Sequence, residues 1–353
     1  CVGPAMNRFL RLLDERPFLL ADGATGTNLF QAGLQTGDAP ELWNTDHPER
    51  IAALHQSFVD VGADIVLTNT FGGTRHRLKL HQAESRVHEL NLAGAQIARR
   101  VADMAQREIV VGGSMGPTGE LFQPLGPLTH DEGRAAFAEQ AAGLAEGGVD
   151  VLWIETMSSR DELDAALEGA ASVGLPVVCT CSFDTNGRTM MGITPADLAR
   201  ICAESKAHPH AFGSNCGVGA SELVAAILNL SDAAGPDAVL VAKANCGIPE
   251  WVDGAIRYNG TPDLMADYAR LAFDSGARII GGCCGTSPAH LRAMRDALDR
   301  HVKGPRPSLN TVVERLGTVS TGAQAQARGE MDVTSGAVVD ADRSPRRRRR
   351  RDR

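Results

Sequence analysis

Between residues 18 and 302 the hydrophobic pattern switches eight times from short β-branched runs to the wider spacing of amphipathic helices. The runs are Leu19–Ala24, Ile65–Phe71, Ile109–Met115, Val151–Met157, Val177–Phe183, Ala211–Cys216, Val239–Cys246 and Ile279–Cys284. The clearest helical segments are Glu49–Val61, Arg86–Met104, Glu132–Leu144, Asp161–Ala171, Ala196–Glu204, Glu222–Leu230, Pro262–Asp274 and Ala289–His301. Several open on a capping residue followed by proline, as at Thr194-Pro195, Thr261-Pro262 and Ser287-Pro288. Several close on glycine: Gly62, Gly148, Gly174, Gly235 and Gly276. Eight such units predict an α/β fold, a (β/α)8 TIM barrel over residues 17–302. An open, doubly wound sheet is the competing architecture, but no glycine-rich dinucleotide turn follows the first strand.

Residues 1–16 are an N-terminal segment, of which 1–5, with Gly3-Pro4 ahead of Met6, resemble a protease scar and are set apart from the fold. After His301 the pattern stops. Residues 303–353 are rich in Gly, Ala, Ser, Thr and charge, and predict a disordered tail ending in the run Arg346–Arg351. Residues 1–302 hold 23 basic against 37 acidic side chains, and the tail 12 against 6. An acidic body argues against nucleic acid as the main substrate. The arginine run could touch nucleic acid or an acidic protein, but such runs are more often simply solvated. No stretch of about 18 apolar residues is present, and no secretory signal, so a cytoplasmic enzyme with no membrane span is expected. Eight cysteines in such a chain read as thiols or metal ligands rather than as disulfides.

In a barrel the active face lies at the C-terminal ends of the strands. Cys216 ends the sixth run in Gly213-Ser214-Asn215-Cys216-Gly217, and Cys283 and Cys284 end the eighth in Gly281-Gly282-Cys283-Cys284-Gly285. Strands six and eight flank strand seven, so three sulfurs can converge at one rim. Adjacent residues of a regular strand point to opposite faces, so the chain must bend at Cys283–Cys284 for both to reach one ion. Three thiolates and an open fourth position describe a catalytic Zn2+ site, where an incoming thiol could be held as thiolate near neutral pH. Cys179 and Cys181, spaced for one face of strand five, read as packing. Cys246, at the seventh strand end, is a candidate resting-state ligand in the fourth position.

Asn215-Cys216-Gly217 and Gly281-Gly282-Cys283-Cys284-Gly285-Thr286, with Asp22-Gly23-Ala24-Thr25-Gly26-Thr27 at the first strand end, resemble the homocysteine S-methyltransferase family over roughly residues 17–300. The resemblance implies a (β/α)8 barrel in which the three cysteines bind zinc and homocysteine supplies the fourth ligand. It implies that Asp22 and Glu155 bind the amino group of homocysteine, and that the backbone amides of Gly23 and Ala24 serve its carboxylate. The implied reaction forms methionine, the zinc-held homocysteine thiolate attacking an electrophilic methyl donor.

The donor stays open at the level of sequence. One branch of the family uses betaine, and Trp43 and Phe71 fall where that branch places cage aromatics for a quaternary ammonium, with Asn69 beside them. Gly72 follows Phe71, so the cage looks incomplete. Asn69-Thr70-Phe71 and Gly187-Arg188-Thr189 resemble the homocysteine module of cobalamin-dependent methionine synthase, which would require a separate corrinoid protein as partner. A third branch uses S-methylmethionine or S-adenosylmethionine. The stretch Gly116–Pro127 could form a lid or a plain loop. The rival to an enzyme is a zinc-containing scaffold barrel without catalysis, but a scaffold has no need of Asp22 and Glu155.

Overall fold

The computed structural model describes residues 6–252 and 255–330. Eight parallel strands form the barrel: β1 (Leu19–Leu20), β2 (Ile65–Leu67), β3 (Val110–Met115), β4 (Val151–Met157), β5 (Val177–Cys181), β6 (Ala211–Cys216), β7 (Leu240–Ala244) and, after a short hairpin, β10 (Ala277–Gly282). The hydrogen-bonded order is β1-β10-β7-β6-β5-β4-β3-β2. The ring is drawn together between its ends by a bridge from Ala21 to Ile65 and by Asp22 N–H donating to Ile65 O at 3.0 Å. Around it stand α4 (Pro48–Asp60), α6 (Val87–Met104), α7 (His130–Glu146), α8 (Arg160–Ala171), α9 (Pro195–Glu204), α10 (Ala220–Ala233), α11 (Pro262–Asp274) and α12 (Pro288–Arg300). The expected caps form: the Thr194 hydroxyl accepts from Asp197 N–H while the Asp197 carboxylate accepts from Thr194 N–H. Of the closing glycines, Gly62 and Gly276 take left-handed φ of 107° and 109°; Gly235 does not, because α10 ends earlier in extended backbone at Ala234.

Alternation along the strands separates two apolar layers. Leu20, Val66, Val111, Leu152, Cys179, Cys181, Ala242 and Ile280 face the helices. Leu19, Ile65, Val110, Val151, Trp153, Val178, Val241 and Ile279 fill the barrel with Phe9, Leu12 and Leu13 of α1 (Arg8–Glu15). The segment before residue 17 is therefore partly a helix that plugs one end of the barrel. It is too short to show a repeating unit by itself.

Two further elements depart from the sequence reading. An antiparallel hairpin, β8 (Pro249–Val252) and β9 (Ala255–Tyr258), is inserted between β7 and α11. Residues 303–330, expected to be disordered, carry α13 (Leu309–Leu316) and α14 (Thr321–Ala327). Val312, Val319 and Ala323 are buried there, and Asn186 Oδ1 accepts from Gly322 N–H at 2.7 Å. A side chain at Gly322 would collide with Asn186, so small residues that read as low complexity are what lets this segment pack so closely. Residues 1–5 and the arginine run 346–351 lie outside the described residues. No described helix is long and apolar enough to cross a membrane.

Candidate active site

The long β1–α4 and β2–α6 connections, which carry α2 (Gly26–Gln31), α3 (Trp43–Asp46) and α5 (Arg75–Lys79), wall a cavity of about 400 Å3 at the C-terminal rim, α2 and α5 lining it and α3 standing behind. Cys216, Cys283 and Cys284 line it together with Asp22, Gly23, Ala24 and Glu155.

The three sulfurs lie within 4.8 Å of one another. Cys216 ends β6 in a left-handed conformation, φ 63°, which turns its side chain away from the strand alternation. Asn215 locks that turn: its Oδ1 accepts from Thr156 N–H at 2.9 Å and Thr180 Oγ1 at 2.7 Å. The bend expected at the vicinal pair is present. Cys283 N–H still donates to Ala244 O at 2.6 Å, and Cys283 O already accepts from Thr286 N–H at 3.1 Å. Gly285 completes the turn with φ 79°, where a β-carbon would meet Tyr258 at 2.5 Å. Asn245 ties the loops together, accepting from Cys284 N–H at 3.0 Å and donating to Gly217 O at 2.6 Å.

In the protein alone these thiols resist ionisation. A hydrogen bond with Cys283 lowers the Cys216 thiol, but the one with Cys284, burial and like charge outweigh it, and the group is pushed up to about 12. Cys284 is lowered by Cys216, yet Cys283 and burial carry it to about 12 as well. A dication reverses this balance, since it favours thiolates and releases their protons. The donor set fits zinc: three sulfurs around one tetrahedral ion stand roughly 3.8 Å apart, within reach of the observed spacing. Among the described residues no other group of His, Cys, Asp or Glu is arranged to hold a metal.

Beyond the sulfurs lies a buried charged group. Glu155 is 8% exposed and accepts from Ser114 Oγ at 2.5 Å. Burial pushes its carboxyl up, against the pull of Lys243 and Ser114. Asp22, 2% exposed, accepts from Leu67 N–H at 2.8 Å and from Lys243 Nζ at 2.9 Å. Burial lowers Lys243, but Asp22 and Glu155 together outweigh it and hold the ammonium charged. The tight turn after β1 needs Gly23, whose β-carbon would meet Thr286 O at 2.6 Å and the Phe58 ring at 2.8 Å. Ala24 N–H is engaged with Thr286 O at 3.1 Å.

Other expected residues fall elsewhere. Cys246 is buried with its Sγ donating to Gly260 O at 3.4 Å, outside the three-sulfur group, so the structure does not place it as a resting ligand. Trp43 is withdrawn into a satellite core with Leu29, Leu34, Ile51 and Ile97, beneath Arg50, and does not line the cavity. Asn69 lines it, but its amide donates to Pro40 O at 2.7 Å and Asn44 Oδ1 at 3.0 Å and so holds the wall together. Phe71 does line the mouth, joined by Phe30. Gly116–Pro127 is a loop fastened outward, Thr118 N–H donating to Glu162 at 2.7 Å, and contributes nothing to the cavity lining. Cys179 and Cys181 pack in the core, Cys179 Sγ lying 3.6 Å from Cys202 Sγ.

Sequence reading missed Lys243, Asn245, Tyr258 and Phe30. Lys243 left the plainest signal, a charge in the otherwise apolar strand Leu240-Val241-Ala242-Lys243-Ala244. Tyr258 comes from the hairpin and stands beside Cys284, burial first and that neighbour second pushing its hydroxyl up.

A closed (β/α)8 barrel with three convergent sulfurs and buried carboxylates at its C-terminal rim defines a barrel enzyme with a three-cysteine centre. The chain belongs to the homocysteine S-methyltransferase family, whose model matches residues 19–298. It is 32% identical over 313 residues to a methionine synthase of Mycobacterium tuberculosis, covering 84% of this chain and 26% of that protein. The chain thus spans about a quarter of the length of the curated relatives it matches. Among solved structures it is similar to the oxidised form of the homocysteine methyltransferase MmuM from Escherichia coli, with a TM-score of 0.68 and 25% identity over 82% of this chain and 99% of that one. The metallated form of the same protein shares the fold, with a TM-score of 0.67 at 24% identity, over 81% of this chain and 98% of that one.

Proposed function

We propose that this chain forms methionine from homocysteine, and that its methyl donor is a protein-borne methylcorrinoid. The observation that carries the reading is the sharing of one cavity by three convergent thiols and the buried carboxylates of Asp22 and Glu155. Cys216, Cys283 and Cys284 would hold zinc, which when bound supplies the Lewis acidity that keeps a substrate thiol deprotonated near neutral pH. Glu155, held by Ser114, would accept the substrate ammonium. Asn215 and Asn245 keep the sulfur-bearing loops in register, so the protein mainly positions nucleophile against methyl group.

The donor assignment rests on the mouth of the cavity. A free quaternary ammonium calls for a desolvated aromatic cage. Here Trp43 is withdrawn, while Phe30 and Phe71 remain 49% and 38% exposed. Leu121, Leu125, Met190, Met191, Val218 and Ile248 are also exposed, all on loops that follow barrel strands. Apolar side chains left exposed on the loops of this rim suit a docking protein more than a small solute. The test is methionine formation by zinc-loaded protein offered betaine, S-methylmethionine, free methylcobalamin or a methylated corrinoid protein in parallel. Turnover is expected with methylcobalamin, faster when protein-bound; turnover with betaine overturns the donor assignment, and no turnover with any donor overturns the reaction.

A further inference from the structure

Lys243 occupies an inward-facing position of β7 at the floor of the cavity, and its side chain is 3% exposed. A buried ammonium is costly unless its hydrogens find acceptors. Among the described residues Nζ has one hydrogen-bond partner, Asp22 Oδ1 at 2.9 Å, although an ammonium carries three donors. The face of Trp153 lies 5.9 Å away and offers only a weak contact. The remaining donors border the cavity that Glu155 and Cys283 also line.

The pairing alters what Asp22 can do. One of its oxygens holds Leu67 N–H and the other holds Lys243, so a substrate ammonium approaching it meets a carboxylate already neutralised. Among the described residues Glu155 keeps an oxygen without a hydrogen-bond partner, since Ser114 contacts Oε1 alone. The substrate carboxylate needs donors instead. Of the two backbone donors expected for it, Ala24 N–H is committed to Thr286 O, which leaves Gly23 N–H and room for a second donor. Among the other residues lining the cavity, the cation Arg77 lies by the buried carboxyl of Glu41.

We propose that Lys243, braced by Asp22, binds the α-carboxylate of the amino-acid thiol, leaving Glu155 alone to take its α-ammonium. The inference rests on the homocysteine reading above and reassigns the roles within it. Asp22 becomes a positioning residue that aims the ammonium. The site then recognises a zwitterion through one fixed cation and one fixed anion: Asp22 is already paired with the cation, and Glu155 is left to pair with the substrate ammonium.

The experiment compares Lys243→Met with the unaltered zinc-loaded protein on three thiols: homocysteine, 3-aminopropane-1-thiol, which lacks the carboxylate, and 4-sulfanylbutanoate, which lacks the amine. Binding is followed by calorimetry and turnover by KM and kcat. Loss of a charge-assisted hydrogen bond is expected to weaken homocysteine and 4-sulfanylbutanoate by roughly 10- to 100-fold in Kd and KM, with kcat little changed and 3-aminopropane-1-thiol unaffected. Because Lys243→Met strands the Asp22 carboxylate, the double variant Asp22→Asn/Lys243→Met, which removes both members of the ion pair, is run beside it and must show the same split. Equal weakening of all three thiols in the double variant, or none, overturns the assignment and leaves a merely structural ion pair. Failure of the unaltered protein to bind any thiol overturns the homocysteine reading itself, and this assignment with it.

Discussion

A serine at position 283 keeps the size of the side chain but offers zinc a poor, protonated ligand. Cys283→Ser is expected to lose bound zinc and to lower activity by more than about 100-fold, beyond what an outer-shell partner costs. The melting temperature should hardly move, because the sulfurs line a cavity and stand outside the apolar layers. Metal content by mass spectrometry and a thermal melt check both; retained zinc would show that the ligands are wrong. At this scale the sequence was readable where chemistry and backbone coincide, as in a vicinal cysteine pair set among glycines. It was unreadable where identical local text takes two conformations. Asn215-Cys216-Gly217 and Asn245-Cys246-Gly247 are the same triplet, yet only Cys216 adopts positive φ and presents its sulfur to the cavity. Lys243 was hidden differently, since its partner Asp22 is 221 positions away and only barrel closure joins them.

Among the elements, α4 carries a group with a pH signature. His55 is 1% exposed, its Nε2 has no partner among the described residues, and burial lowers it to about 4 despite the field of Asp22. An unfolded histidine takes up its proton near pH 6.5, so between that pH and about 4 the unfolded chain binds more protons than the fold. Stability therefore falls as pH drops through this window, by about 3 kcal/mol at its lower end from this group. Chemical denaturation at a series of pH values should show the slope, and His55→Gln should flatten it; an unchanged slope would mean that other groups drive the acid lability. Helices such as α4 were legible because thirteen residues of regular spacing end on a proper glycine. The hairpin β8–β9 and the plug α1 were not, because each is too short to be specified without the barrel surface that it covers.

For the molecule as a whole, the barrel does not end with its eighth helix. Arg306 donates to Leu228 O at 3.0 Å, the Ser320 amide to Glu222 at 2.8 Å and the Gln326 amide to Gly187 O at 2.7 Å, so residues 303–330 are fastened to α10 and to the loop after β5. Composition suggested a solvated tail because few of these residues are large and apolar. Yet burial of two valines and two alanines on an existing surface contributes a few kcal/mol before the cost of ordering the segment is subtracted. Removing residues 303–353 should then lower the melting temperature by roughly 3–8 °C, leaving zinc stoichiometry intact because no cavity-lining residue is lost. Cleavage susceptibility of the loop around Asn186 and Gly187 should rise in the truncated chain, since Gly322 and Gln326 no longer hold it. A truncated protein with unchanged melting and an equally protected loop would show that the two terminal helices rest on the barrel without stabilising it.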